Sequence, residues 1–453
     1  MFELKNKDFY RKTLVLMLPV ILQQLISIGV NFMDNLMIGG FGETQIAAAS
    51  FANEFYSLFQ FICMGLGSGA VVMSSQFWGR HELEPMRVTA AIGMRITLIL
   101  CAVFTVFSQT APQLVMKFFT NDAAVISVGA PYMKLIGVTF IMSGLSSEAT
   151  YLLRSVGNVK VSLIGSISAF VLNIFFNWVF IFGKFGAPRL ELVGAAVGTV
   201  IARAVEFIIV FGYFAFAEKS FGFRLKHFAL SGKMLSKQFF KYSLPVMISD
   251  TLLGLSLSLL GVIGGHVGAA FAAASAIVGS IVRLTSVINS GMAGASAVVI
   301  GNTIGEGDIA KAKREGNSYC VIAFLFGLIL IVPLMLLEKP YFSMYTIEAE
   351  TQTIAHAMLL CNCLMLPIQM IAFVTSKGIL RGGGDTRFLL IADSSLVWFV
   401  SIPLGALAGL VWHLPAFWVY FLLHVEYPAK GIVCFIRYLT GKWIKEIKVS
   451  EKA

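Results

Sequence analysis

An aspartate, two asparagines and a threonine lie at similar depth in stretches apolar enough to cross a bilayer. Together they have the chemistry of a site for a small cation or a proton. Asp34 belongs to Leu14–Ile38, LVLMLPVILQQLISIGVNFMDNLMI. About 20 apolar residues rising 1.5 Å each span the hydrocarbon, so this stretch is long enough to cross. It also carries Gln23, Ser27 and Asn31. At about 100° per residue, Gln23, Ser27 and Asp34 share one narrow face, with Asn31 about 60° away. Such a stripe turns toward other helices or water, not lipid. A carboxylate within a span costs roughly 3 kcal/mol or more, which marks it as functional by default. Asn173 and Asn177 in NIFFNWVFIFG are i and i+4 on the fifth apolar span, and Thr199 in LVGAAVGTVIAR is on the sixth. Counted along their spans, Asp34, Asn177 and Thr199 all fall within roughly 7–12 Å of the outer boundary, with Asn173 one turn deeper. This set makes either an oxygen cage for a cation or a carboxylate that takes up a proton. The alternative is interhelical hydrogen bonding, worth about 0.6–2 kcal/mol for each Asn or Thr. The acid favours the first reading.

The elements that position these groups are membrane helices. The chain of 453 residues is 57% hydrophobic and 13% charged, against about 25% charged in soluble domains. This predicts an all-α integral membrane protein. Twelve spans are expected, at 12–38, 46–77, 88–110, 126–152, 160–183, 191–217, 239–263, 270–303, 317–337, 353–379, 388–410 and 414–438. The charged N-terminus runs straight into a full-length span, without the form of a cleavable signal. Lys and Arg collect in every second loop, including Glu218 to Lys241, the Lys311/Lys313/Arg314 loop and the tail from Arg437. Few stand opposite: Lys117, Lys184, Arg189 and Lys339. That asymmetry puts both termini in the cytoplasm of a cell inner (plasma) membrane protein. It also explains the net charge of +10 without nucleic acid. The six cysteines lie in apolar runs, and Cys361-x-Cys363 has no metal-ligand spacing.

The chain repeats. Leu18-Pro19-Val20 recurs as Leu244-Pro245-Val246, Ile38-Gly39-Gly40 as Ile263-Gly264-Gly265, and Leu153-Arg154-(x)2-Gly157 as Leu380-Arg381-(x)2-Gly384. The division is an N-terminal lobe 1–217, a cytoplasmic link 218–240 and a C-terminal lobe 241–453 ending in a basic tail. The two pseudo-symmetric lobes hold six helices each and share orientation, as in secondary transporters with substrate between repeats. Further acids are Glu54, which could face a substrate cavity, and Asp250, which has no evident local partner and is the strongest acid of the second half. Gln23, Ser27 and Asn31 are cavity candidates with them. Glu206 pairs by spacing with Arg203, and Glu426 with Lys430. Glu148 and Asp393 read as interfacial. LRGGGDTR lacks the preceding strand and Gly-Lys-Ser/Thr of a phosphate loop, so ATP is excluded. No His/Asp/Glu or Ser/His cluster supports an enzyme.

These residues resemble the MATE family of multidrug and toxic compound extrusion transporters. The resemblance rests on LP…MDNLMIG, GSGAVVMSSQFWGR, LLRSVGNVK, NIFFNWVFIFG with LVGAAVGT, GNTIGEGD and LRGGGDTR, in order along nearly the whole chain. It implies export of organic cations or amphipathic drugs in exchange for H⁺ or Na⁺. No other cofactor is expected, and the protein is expected to act as a monomer. It implies an ion site at Asp34, Asn173, Asn177 and Thr199, with Na⁺ possible there and no tightly bound metal. Many prokaryotic members have Asp where this chain has Asn177. Of the second-lobe acids used by some members only the loop Asp385 matches; Leu253 and Met370 occupy the others. The expected mechanism has Asp34 hold either the coupling ion or the substrate charge, with the first helix bending near Pro19 and the Gly29/Gly39 ends. The alternative within the superfamily is a lipid-linked oligosaccharide flippase, which would draw on Arg95, Lys134, Arg283 and Lys377.

Overall fold

A computed structural model describes residues 3, 6–230, 232–345 and 347–447, apart from the side chain of residue 35. Among these residues there is no strand. Twelve helices are long and apolar enough to cross a membrane: α1 Lys7–Phe41, α2 Glu43–Gly79, α3 Leu83–Thr110, α4 Ala123–Ser155, α5 Lys160–Phe182, α6 Glu191–Ala217, α7 Lys233–Val267, α8 Ala269–Gly305, α9 Ile309–Phe342, α10 Ala349–Leu380, α11 Thr386–Val411 and α12 Ala416–Leu439. The architecture is thus the all-α, twelve-span one. A helix satisfies its own backbone groups, which lipid cannot do. Several helices outrun their apolar stretches at charged ends; α1 begins at Lys7, ahead of the apolar run. The end of the basic tail, 448–453, lies outside the described residues.

The chain forms two compact units. The first comprises Pro19–Ser74 and Glu82–Met247; the second comprises Met1–Leu18, Ser75–His81 and Ile248–Ala453. The division cuts α1 at Pro19 and α7 just after Pro245, the repeat-related prolines that lie inside those helices. A proline inside a helix removes one backbone hydrogen bond and bends the axis.

In the first unit, Phe59, Phe104 and Phe140 of α2, α3 and α4 pack as a ring cluster, Phe59 and Phe140 meeting edge-on at 4.8 Å. The basic link 218–240 belongs to this unit and is docked. The Glu218 carboxylate accepts from the backbone N–H groups of Ser220, Phe221 and Gly222 at 2.6, 3.1 and 3.0 Å. Arg87 and Arg95 of α3 donate to the carbonyls of Phe221 and Leu230, both at 2.7 Å.

In the second unit, the glycine-containing loop motifs seen in sequence meet one another. A Cβ on Gly79 would collide with the carbonyl oxygen of Asn302, and one on Gly305 with that of Gln76. The end of α2 therefore touches the end of α8 backbone to backbone. The tail then straps across the end of α2 and the LRGGGDTR loop. Trp443 is fully buried against Gly383 of the LRGGGDTR loop, and Lys445 N–H donates to the Gly383 carbonyl at 2.8 Å. Gln76 donates to the Lys445 carbonyl at 3.1 Å and accepts from Ile447 N–H at 2.9 Å. The α2–α8 contact yields a prediction. Gly79→Ala forces the two backbones apart, since no flexible side chain can yield there, and is expected to cost about 1–3 kcal/mol. Thermal unfolding of the purified protein checks this. Gly40→Ala, whose Cβ would meet nothing within 4 Å, is the control expected to leave unfolding unchanged.

Candidate functional site

Three helices of the first unit each carry a polar stripe, and the stripes converge. On α1 the stripe is Gln23, Ser27 and Asp34. On α5 it is Ser166, Asn173 and Asn177, and on α6 Thr199, Arg203 and Glu206, all at three-, four- or seven-residue spacings that share a face. Asn177 is fully buried and Asn173 nearly so. The Asn177 amide nitrogen donates to Asp34 Oδ1 at 2.5 Å and to Asn173 Oδ1 at 3.3 Å. The Asn173 amide nitrogen donates to Thr199 Oγ1 at 3.2 Å. The four residues singled out by depth are thus joined in one hydrogen-bonded chain from α1 through α5 to α6.

Close approach of α5 and α6 makes this possible. A Cβ on Gly198 would run into the Asn177 side chain, and one on Gly194 would stand 2.5 Å from the Phe180 carbonyl oxygen. Small residues at such spacing let membrane helices approach closely. One acceptor is left over: Asn177 Oδ1 is buried and receives no hydrogen bond among the described residues. A small cavity of about 40 Å³ adjoins the chain, lined among others by Ser27, Ser166, Asn173, Thr199, Arg203 and Glu206. That is room for a few waters or an ion. Arg203 and Glu206 form an ion pair at 2.6 Å, as their spacing suggests, but they face this cavity. Sequence reading stopped at the pair itself; the signal missed was that Arg203 follows Thr199 by one turn. Asp34 forms no ion pair among the described residues. Its hydrogen bond comes from a neutral amide.

The other candidates lie apart from this chain. Gln23 is half-buried, and Asn31 and Glu54 are exposed. Ser27 lines the cavity, with its hydroxyl donating to the Gln23 carbonyl at 3.0 Å. Asp250 is in the second unit and, with no partner local in sequence, takes two from far along the chain. It is buried, with Lys377 Nζ at 2.5 Å and the Arg381 guanidinium bound through both Nη atoms at 2.9 and 3.1 Å. Lys377 reaches it from a π-helical turn, Val374–Leu380, that ends α10. Three readings of other acids also change. Asp393, read as interfacial, is buried in the protein and pairs with Lys430 at 2.7 Å. Glu426 consequently does not take Lys430; it accepts from Ser401 Oγ at 2.6 Å. Glu148 is buried beside Gly93 with no hydrogen bond to either carboxylate oxygen among the described residues.

Removing one member of a buried ion pair strands the others, typically at about 3–5 kcal/mol. Asp250→Asn leaves Lys377 and Arg381 without their shared acid and is expected to destabilise by that amount in equilibrium unfolding. Adding Lys377→Met should recover part of the loss. A loss no larger than that of the exposed Glu54→Gln would show that the cluster does not hold the second unit together.

The MatE family model matches residues 19–179 and again 245–407, two copies that begin 226 residues apart. The probable multidrug resistance protein NorM of Neisseria meningitidis serogroup B is 22% identical over 96% of this chain and 95% of its own. The multidrug resistance protein MdtK of Photorhabdus laumondii is 22% identical over 94% of each chain. A MATE protein solved in the bent conformation superposes with a TM-score of 0.85 at 19% identity, covering 96% of both chains. With the family model matching both halves, including the α1 and α5 stripes, the chain belongs to the MatE family.

Proposed function

We propose that this multi-pass membrane protein is an efflux antiporter of the plasma membrane, both termini cytoplasmic, that exports organic cations or amphipathic drugs in exchange for H⁺ or Na⁺. The observation that carries the reading is Asp34: a carboxylate among membrane helices, held by the neutral amide of Asn177, which is linked in turn through Asn173 to a small cavity. The names of the relatives, multidrug resistance proteins, point the same way. Such a carboxylate has a charge to neutralise. A proton, a sodium ion or a cationic substrate can each supply that charge, and they exclude one another at a single site. Competition for one carboxylate is what links drug release to ion entry.

The hydrogen-bond chain suits either ion in a different way. With its nitrogen turned to Asp34, the Asn177 amide stabilises the ionised carboxylate. A proton on Asp34 weakens that bond and frees α1 from α5. Na⁺ needs oxygen ligands, and Asn177 Oδ1 is an acceptor with no hydrogen bond to give up. Turning that amide would present its oxygen, alongside the Asp34 carboxylate and the Thr199 hydroxyl. In both cases α1 responds, and Pro19 gives it a place to bend. The cations a flippase would draw on include two already engaged: Lys377 by Asp250, and Arg95 by backbone carbonyls.

The test is efflux of a fluorescent organic cation from proteoliposomes under an imposed Na⁺ gradient or pH gradient, each alone. The wild type is expected to respond to one gradient, and Asp34→Asn to lose at least tenfold of the driven rate. Full coupled transport by Asp34→Asn would overturn the mechanism, and transport under neither gradient would favour the flippase. Asn177→Asp adds a second carboxylate beside the first and should shift the preference between Na⁺ and H⁺. An unchanged preference would reduce the amides to packing.

A further inference from the structure

Charges on the membrane helices of this protein are repeatedly paired: Asp250 with Lys377 and Arg381, Asp393 with Lys430, Arg203 with Glu206. Two lysines depart from this. Lys117, on the short helix Pro112–Phe119 after α3, and Lys134, within α4, line one open cavity of about 770 Å³. Both are exposed, and neither forms an ion pair among the described residues. The lining contains no Asp or Glu; its other polar side chains are Thr110, Gln113 and Ser127.

The cavity is a notch between two helices that touch below it. A Cβ on Gly137 of α4 would collide with Ser108 of α3, and the Gln109 amide donates to the Lys134 carbonyl at 2.6 Å. Above that contact α3 ends at Thr110 and the chain turns through Pro112 into the short helix, which opens the space. Pro131, also in the lining, has no N–H, so the helix leaves the Ser127 carbonyl without its usual partner there. The loop between the third and fourth spans is one that charge bias assigns to the outer side. Lys134 is about 17 Å along α4 from its first residue. It lies within the apolar layer unless its ammonium extends up the notch toward the headgroups, as long basic side chains do. That brings two ammonium groups to one polar recess at headgroup level, with no acid to balance them.

We propose that this notch binds a phosphate group, with Lys117 and Lys134 as its cationic contacts. Ammonium–phosphate contacts are charge-assisted hydrogen bonds, and basic recesses between membrane helices suit lipid headgroups. The volume exceeds that of a bare phosphate and admits a phosphodiester with its glycerol. The phosphate can come from a phospholipid of the outer leaflet or from solution. The inference does not rest on the transport reading.

Native mass spectrometry of the full-length protein, titrated with phosphatidylglycerol, tests the site. The wild type is expected to retain the lipid, and the double variant Lys117→Gln/Lys134→Gln to bind it at least tenfold more weakly. Lys117→Arg/Lys134→Arg should keep most of the affinity. Diacylglycerol, with the same chains and no phosphate, should be retained poorly by every form. Displacement of the lipid by millimolar inorganic phosphate would identify free phosphate as a competing ligand of the same site; failure to displace it would assign the site to the headgroup. Equal affinity of wild type and the Gln variant for phosphatidylglycerol, or diacylglycerol binding as tight as phosphatidylglycerol, would overturn the proposal. Both lysines are exposed, so the variants should unfold at the wild-type temperature, which separates loss of the site from loss of the fold.

Discussion

A charge placed in a bilayer must be compensated, and the pattern of compensation in this protein separates support from function. In the second unit the answer is internal. Asp250 is neutralised by Lys377 and Arg381, and Asp393 by Lys430. These groups have what they need from within the fold and have little cause to bind a mobile ion. In the first unit Asp34 accepts from an amide and forms no ion pair among the described residues; Arg203, the cation at the adjoining cavity, is paired with Glu206. On the proposed reading the charge of Asp34 is met by a mobile cation. The same rule read with the sign reversed applies at Lys117 and Lys134, where cations lack an anion.

The polar chain through Asp34 depends in turn on backbone packing. Asn177 reaches Asp34 and Asn173 because Gly198 and Gly194 let α6 lie directly against α5. A membrane helix pair gains little from apolar burial, since lipid is as apolar as leucine; close packing and buried hydrogen bonds hold it instead. The residues that make the site are therefore also the residues that hold α1, α5 and α6 together. A change at Asp34 alters the contact between α1 and α5 directly, and a helix with Pro19 inside it has a ready place to absorb that change.

The meeting of Asp34, Asn173, Asn177 and Thr199 was legible in sequence because a bilayer converts position along a helix into depth. Three polar residues at one level, with Asn173 one turn deeper, had few other arrangements available on three spans, and they meet. The twelve spans and the repeat were legible for the same reason: apolar length and charge bias are local properties. What escaped was set by rotation and by distant partners. Asp250 looked unpaired because its cations lie 127 and 131 residues away, one of them in a π-helical turn that no apolar pattern announces. Lys430 seemed to belong to Glu426 at i−4, yet it turns to Asp393 on another helix. Glu148 and Asp393 sat near basic loops in sequence, and proximity to a loop did not foretell burial. The docked tail was missed because one tryptophan in a basic segment carries no sign of the pocket that Gly383 leaves for it.

The central claim is that one carboxylate serves both the coupling ion and the substrate charge. Calorimetric titration of the purified protein with a lipophilic organic cation tests it most directly, in buffers that differ in ionisation enthalpy and at low and high Na⁺. Substrate binding to the wild type is expected to displace about one ion per site, seen either as proton release or as competition by Na⁺, and the Asp34→Asn protein should displace none. Equal displacement by wild type and Asp34→Asn would contradict it.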